Sequence, residues 1–215
     1  MGYLPANHGL NVGGDWYDAF VLPDGRVGMS IGDVQGTTSR PPRSWGRRGW
    51  RCAYWPPSRG SGELLARTND LLISLGTDLF ATCTFLRLDP ATGTLECARA
   101  GHIPTSGPPP TAAPVSTTAK AALRSACSRG RLPVARHRLT TGGVFVLLTD
   151  GVVEGPSLHL DDGLRQVVRL AGATAVAGSD VDALVADVMR LAGTVGHEDD
   201  AAVLVVGHDG YPPAR

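Results

Sequence analysis

The chain has 215 residues, 42% of them apolar, and its 20 Lys and Arg balance its 20 Asp and Glu. That length suits one domain, or one domain with an insertion, and the apolar share is enough for a real core. Zero net charge gives no global attraction to nucleic acid or to an anionic membrane, and the longest apolar runs, at 144–148 and 201–206, are too short to span a bilayer.

The N-terminus shows no basic stretch followed by an apolar one, so no secretory signal is read there. Cys52, Cys83, Cys97 and Cys127 form neither a CxxC pair nor a zinc-finger spacing. This pattern is that of a cytoplasmic protein with free thiols.

Taken in chain order, residues 11–20 are Gly-rich and then aromatic. Residues 26–33, RVGMSIGD, alternate as a strand does and follow a Pro-Asp-Gly turn. Residues 37–60 contain six Arg, three of the four Trp and no acidic residue. Pro41, Pro42, Pro56 and Pro57 forbid a continuous helix there. Residues 62–75 carry Leu64, Leu65, Leu71, Leu72 and Leu75 at helical spacing.

Residues 79–88 and 94–100 read as two strands joined by the Asp-Pro-Ala-Thr-Gly turn at 89–93, an antiparallel hairpin. The stretch 103–130 has three consecutive prolines and little pattern, so it reads as a loop or disordered insert. GVFVLLTD at 143–150 is a buried strand, 162–171 and 180–191 are amphipathic helices, and 201–206 is a last strand. Asp180 sits where a helix start favours negative charge. This order does not alternate strand and helix regularly, so it predicts an α+β fold built on antiparallel sheets.

Four aspartates share one grammar. Asp15 follows two glycines, Asp33 follows Gly32 at the end of an apolar strand, Asp150 ends GVFVLLT and precedes Gly151, and Asp199 stands just before the last strand. Glycine permits tight bends and close approach. Carboxylates held together repel unless a cation neutralises them, and oxygen-only ligation suits Mg²⁺ or Mn²⁺ rather than zinc. Each aspartate alone is more commonly a turn residue. The four together are harder to assign to turns.

VGGDWYDAF, IGDVQG, FATCTFLRLDPATGTLECARAGH, VLLTDGVVE and DDAAVLVV, in this order over about two thirds of the chain, resemble the SpoIIE-like branch of the metal-dependent (PPM, or type 2C-like) protein phosphatases. The resemblance implies an α-β-β-α sandwich of two antiparallel sheets flanked by helices. The whole of 1–209 would be one phosphatase domain, with 210–215 a tail and irregular inserts at about 37–60 and 103–130. It implies two Mn²⁺ or Mg²⁺ ions and hydrolysis of phosphoserine or phosphothreonine on a protein by an activated water.

The implied substrate is an anti-sigma factor antagonist of STAS type in a bacterial stress or sporulation-like pathway. Neither nucleic acid nor membrane is an expected partner, and a homodimer is compatible with the family. Asp33 would bridge the metals and Val34 would offer its carbonyl. Asp150 and Asp199 would complete one metal, and Asp15 would serve the other. Asp200 is an alternative to Asp199, which the family register favours. Asp18 is a candidate to support a ligand, and His102 matches a family position where packing or capping is the commoner role. GYLPANHGL reads as the end of the family's first strand.

Two departures stand out. The family continues GDVxG with His-Gly and an Ala-rich helix, and continues AGHIP with an apolar strand. Here Arg-, Pro- and Trp-rich or Pro-, Ala- and Ser-rich stretches of near-normal length stand in their place. One alternative is therefore a degenerate remnant that binds its partner without turnover. Another is a basic-aromatic module built on Arg43, Trp45, Arg47, Arg48, Trp50 and Arg51. We read the odd stretches as compensated frameshifts in a GC-rich coding sequence. Translating those windows of the coding DNA in the neighbouring frame is expected to restore a His-Gly-led, Ala-rich helix, and a frame that yields neither would refute this reading.

Overall fold

The computed structural model describes residues 1–5, 14–35, 60–74, 80–103, 132–177, 180–196 and 199–211. The described chain divides into two units, each with its own antiparallel sheet. The Arg/Trp segment at 37–60 (apart from Gly60) and almost all of the Pro-rich stretch at 103–130 lie outside the described residues.

One unit holds strands β2 (Trp16–Val21), β3 (Val27–Gln35), β4 (Phe80–Asp89), β5 (Thr94–Ala100) and β6 (Val134–Arg138), in that spatial order, with helix α1 (Ser61–Ser74). The hairpin expected at 89–93 is present. Asp89 Oδ1 accepts from the Ala91 and Thr92 amides at 2.9 and 3.3 Å, and Gly93 takes φ 67°, a conformation that disfavours a side chain.

Residues opposite one another in register share a face. Ser30 with Phe85, Gly32 with Cys83 and Val34 with Ala81 therefore lie on one face, and Met29 with Leu86, Ile31 with Thr84 and Asp33 with Thr82 on the other. On the first face Leu64 and Leu65 of α1 pack with Trp16, Ala81, Cys83, Phe85, Ala98 and Ala100. Small residues at 98 and 100 bring the helix close. Gly62 does the same, since a Cβ there would stand 2.3 Å from the Leu132 carbonyl oxygen. The glycine of IGD has a matching reason: a Cβ on Gly32 would fall 2.2 Å from both the Trp16 ring and the Thr82 carbonyl oxygen.

Strand β6 is absent from the sequence expectation. VARHR shows no apolar alternation because it is an edge strand whose outer positions are charged. Pairing with β5 and the packing of Val134 against the α1-side core seat it, and an ionic ladder across three strands adds to them. Arg87, Glu96 and Arg136 lie opposite one another on β4, β5 and β6. Glu96 accepts from Arg87, from Arg136 Nε at 3.0 Å and from Ser61 Oγ at 3.1 Å. The ladder thus also ties down the start of α1.

The other unit holds β1 (Gly2–Leu4), β7 (Gly143–Leu148) and β8 (Ala201–His208) in the order β1-β8-β7, with helices α2 (Leu160–Ala177) and α3 (Val181–Val195). Val144, Val146, Leu148, Ala201, Val203 and Val205 form the helix-side face and pack with Val167, Ala171, Leu184, Val188 and Ala192. Each such buried Val or Leu contributes about 1.5–3 kcal/mol, so this packing holds the two helices more than their propensities do. The opposite face, with Phe145, Leu147, Ala202 and Leu204, is buried as well. That is why GVFVLL reads as a continuous apolar run rather than an alternation.

Both helices outrun the expected 162–171 and 180–191, because small residues at their ends break the apolar stripe without breaking the helix. Asp180 caps α3 as expected, accepting from the Ala183 amide at 2.9 Å. Ser157 Oγ donates to the Thr194 and Val195 carbonyls at the other end of α3.

Glu96 sets a pH dependence. Burial alone would raise its pKa, but the bonds from Arg136, Arg87 and Ser61 outweigh this and hold it below the usual range. A depressed carboxyl adds stability above the unfolded value of about 4.3, and loses it as pH falls through the folded value. Glu96→Gln is expected to cost about 2 kcal/mol in urea unfolding at pH 7, with the gap to the parent closing as pH drops toward 3. An equal gap at both pH values would show that the charge of Glu96 contributes nothing.

Candidate metal centre

Pairing of β7 with β8 brings the chain ends that carry TDG and DD to one place. Leu148 opposite Val203 is the last backbone pair, and Thr149 then extends the ladder. The Thr149 amide donates to the Ala202 carbonyl at 3.0 Å, and Thr149 Oγ1 accepts from the Ala202 amide at 2.8 Å. Thr149 is fully buried. Beyond it the chain turns sharply through a 3₁₀ turn (Asp150–Val152), whose Asp150 carbonyl accepts from the Val153 and Glu154 amides at 2.8 Å each. The glycine of TDG is required by contact: a Cβ on Gly151 would stand 2.1 Å from the Asp200 carbonyl oxygen.

Burial raises the Asp150 carboxyl above the ordinary carboxylate range, and the Asp199 charge adds to this, partly offset by the Gly151 amide. Asp199 is exposed, and its Oδ1 accepts from the Asp200 amide at 2.8 Å. Asp200 is buried, and its Oδ2 accepts from the Gly14 amide at 2.8 Å. Asp15, the next residue after Gly14, is buried too. On β1, Tyr3 lies opposite Ala202 and so diagonally across from Asp200. Its hydroxyl is held above the usual phenol range by burial and by the charges of Asp200, Asp15 and Asp199. Three of the predicted residues, Asp15, Asp150 and Asp199, therefore share one electrostatic neighbourhood within this unit.

Asp33 and Val34 belong to the other unit, near the end of its strand β3. Asp33 is buried, opposite Thr82, on the face away from α1. Pairing of β3 with β2 stops at Gly32, whereas pairing with β4 continues to Gln35. Asp33 and Val34 thus lie where β3 outruns β2. A parallel bridge between Cys83 and Gly101 brings the end of β5 back beside β4, and there the His102 ring Nδ1 lies 2.8 Å from Thr82 Oγ1. His102 is buried, so packing is a large part of its role. Asp18 lies opposite Ser30, on the α1 side of the sheet and not on the face of Asp33.

The donor set suits a hard divalent cation. The clustered side chains of the unit with β1, β7 and β8 are carboxylates, and the charge crowding at Asp150 is what such an ion relieves. Among the described residues no three His, Cys, Asp or Glu close round a single point. Mg²⁺ and Mn²⁺ sites commonly rest on one or two carboxylates with several waters. Tyr3, Thr149 and the buried role of Asp200 escaped the sequence reading, since each works through a contact distant in sequence.

The model of the family described as Stage II sporulation protein E (SpoIIE) matches residues 56–209, a span that includes Asp150 and Asp199 but not Asp15 and Asp33. Comparison with curated proteins gave no significant match. Among solved structures, the RsbU and RsbW domains of Rv1364c from Mycobacterium tuberculosis superpose with TM-score 0.78 at 26% identity, over 98% of this chain and 59% of that one. The chain therefore spans 59% of the length of that relative. The phosphatase domain of SpoIIE from Bacillus subtilis gives TM-score 0.63 at 17% identity, over 99% of this chain and 92% of that chain. RsbX in complex with magnesium gives 0.68 at 13%, over 96% and 92%. The last two establish the fold alone.

Two glycine substitutions separate contact from propensity in the unit with β1, β7 and β8. Gly151→Ala must push the start of β8 away, and is expected to cost about 1–3 kcal/mol and to weaken Mn²⁺ uptake. Gly172→Ala has open space around its Cβ inside α2 and is expected to stabilise by about 0.5–1 kcal/mol. Thermal unfolding of both variants, with and without Mn²⁺, checks this. Equal effects of the two would mean that Gly151 is not packed against Asp200.

Proposed function

The chain belongs to the Stage II sporulation protein E (SpoIIE) family, and on that footing we propose that it is a metal-dependent protein-serine/threonine phosphatase. The observation that carries this reading is the carboxylate neighbourhood of Asp15, Asp150 and Asp199 at the end of the β7–β8 ladder, where burial and the Asp199 charge raise Asp150. The residues we assign to Mn²⁺ or Mg²⁺ are Asp15, Asp150 and Asp199 in one unit and Asp33 with the Val34 carbonyl in the other. When bound, such ions lower the pKa of a coordinated water and offset charge on the phosphoryl oxygens.

The protein's own part is to hold these carboxylates in place. Thr149 extends the strand ladder so that Asp150 leaves it at a fixed angle. Thr82 and His102, hydrogen-bonded to each other, buttress the Asp33 end of β3. The substrate is a phosphorylated protein in a partner-switching pathway, and the STAS-type anti-sigma factor antagonist is the form we favour.

A second reading is a partner-binding remnant without turnover. It draws on the family match beginning only at residue 56, near the end of the segment that departs after Gly36. The two readings part on one assay. The parent is expected to release phosphate from a phosphoserine STAS protein with Mn²⁺ and not with EDTA, and Asp150→Asn to lose at least about a hundredfold. Mn²⁺ is also expected to raise the parent's melting temperature and leave that of an Asp33→Asn, Asp150→Asn double variant unchanged. Stable capture of the unphosphorylated STAS protein with no Mn²⁺-dependent release would favour the remnant.

A further inference from the structure

Resting on the metal reading above, we propose that Asp200 is a positioning residue and not a ligand: with Tyr3 it clamps the Gly14–Asp15 segment to the start of β8, and so holds Asp15 beside Asp199.

Asp200 is 6% exposed, and a buried carboxylate is costly unless donors meet it. The Gly14 amide meets this one, donating to Oδ2 at 2.8 Å across 186 positions of chain. The register brings Tyr3 near as well. Tyr3 lies opposite Ala202, two residues beyond Asp200, and a diagonal neighbour at that offset is within reach of an aromatic side chain. Tyr3, Ala202 and Leu204 lie on the face of the sheet away from α2 and α3, while Gly2 and Leu4 lie on the helix side, with Leu4 packed in that core. Tyr3 therefore lies on the face away from the helices, diagonally across from Asp200.

Adjacent carboxylates thus divide the work. Asp200 commits an oxygen to the chain, with a bond strengthened by its charge. Asp199 is exposed and acts electrostatically on Asp150. The clamp also answers a repulsion problem. Asp15, Asp199 and Asp200 all bear on Tyr3, and like charges at such range push apart. A donor fixed on one of them keeps the group assembled before any cation arrives.

The test compares the parent with Tyr3→Phe, Asp200→Ala, Asp200→Asn and Asp150→Asn. One readout is hydrogen exchange of the Gly14 amide without metal, and the other is Mn²⁺ affinity by calorimetry. Asp200→Ala is expected to speed Gly14 exchange and weaken Mn²⁺ about three- to tenfold, and Tyr3→Phe to weaken Mn²⁺ about threefold. Asp200→Asn keeps a carbonyl oxygen for the Gly14 amide and is expected to restore both readouts to within about threefold of the parent. Asp200→Asn losing Mn²⁺ as completely as Asp150→Asn would make Asp200 a ligand and overturn the proposal. So would Asp200→Ala leaving both readouts at parental values. A parent that takes up no Mn²⁺ would instead sink the metal reading. The exchange arm would still decide the clamp, for it if Asp200→Ala speeds Gly14 exchange and against it if the rate is unchanged.

Discussion

The pairing of β7 with β8 is the interaction on which the site depends. It ends at Thr149 and Ala202, where a side-chain hydroxyl takes over the acceptor role of a backbone carbonyl. That junction delivers Asp150 and Asp199 to the same end of the sheet from positions about fifty residues apart. The strands themselves are held from the helix side by Val, Leu and Ala packed with α2 and α3. The hydrophobic core therefore sets the spacing of charges that it does not touch. With the core in place, the carboxylates have little freedom to relax apart, and burial and mutual repulsion become properties of the fold.

The second sheet solves a different problem with similar means. Its α1 side is closed by small residues and by the Trp16 ring lying over Gly32. The glycine of IGD therefore has a packing reason as well as a place beside a carboxylate. At the other edge the Arg87–Glu96–Arg136 ladder adds charge pairing to the packing of Val134. Together they let a polar edge strand join the sheet, and charged edges also discourage pairing with foreign strands. Asp33 and Val34 sit where β3 runs past β2, and Thr82 and His102 stand close by.

Family membership and these local devices support each other without being the same argument. The match spans 56–209, and of the four candidate aspartates it includes Asp150 and Asp199, the charge of the second adding to the burial that raises the first. Asp15 lies outside that span, yet it is tied to it through the Gly14 amide on Asp200. A long-range hydrogen bond thus links a segment that the family match does not reach to one that it does. Phosphoryl hydrolysis needs such assembly, because its catalysis is largely positioning and charge stabilisation.

Much of the fold was legible in the sequence. The alternation at 26–33, the Asp-Pro-Ala-Thr-Gly turn, the leucine spacing after residue 62, the apolar run before TDG and the Asp180 cap each became the expected element, because local pattern and turn chemistry decide such elements. The strand-end aspartates were legible too, since an acid beside glycine at the end of an apolar run is a local signature. VARHR was not, because an edge strand with one packed valine and outward arginines carries no hydrophobic period. Nor was the different use of two neighbouring acids. Asp199 and Asp200 are alike in sequence, and only the fold buries one against Gly14 and Tyr3 and leaves the other exposed beside Asp150. The sequence determined which elements form and which residue types stand at their ends. Tertiary structure alone decided which carboxylate is buried against a distant donor and which is left exposed, because that depends on groups brought together from distant parts of the chain.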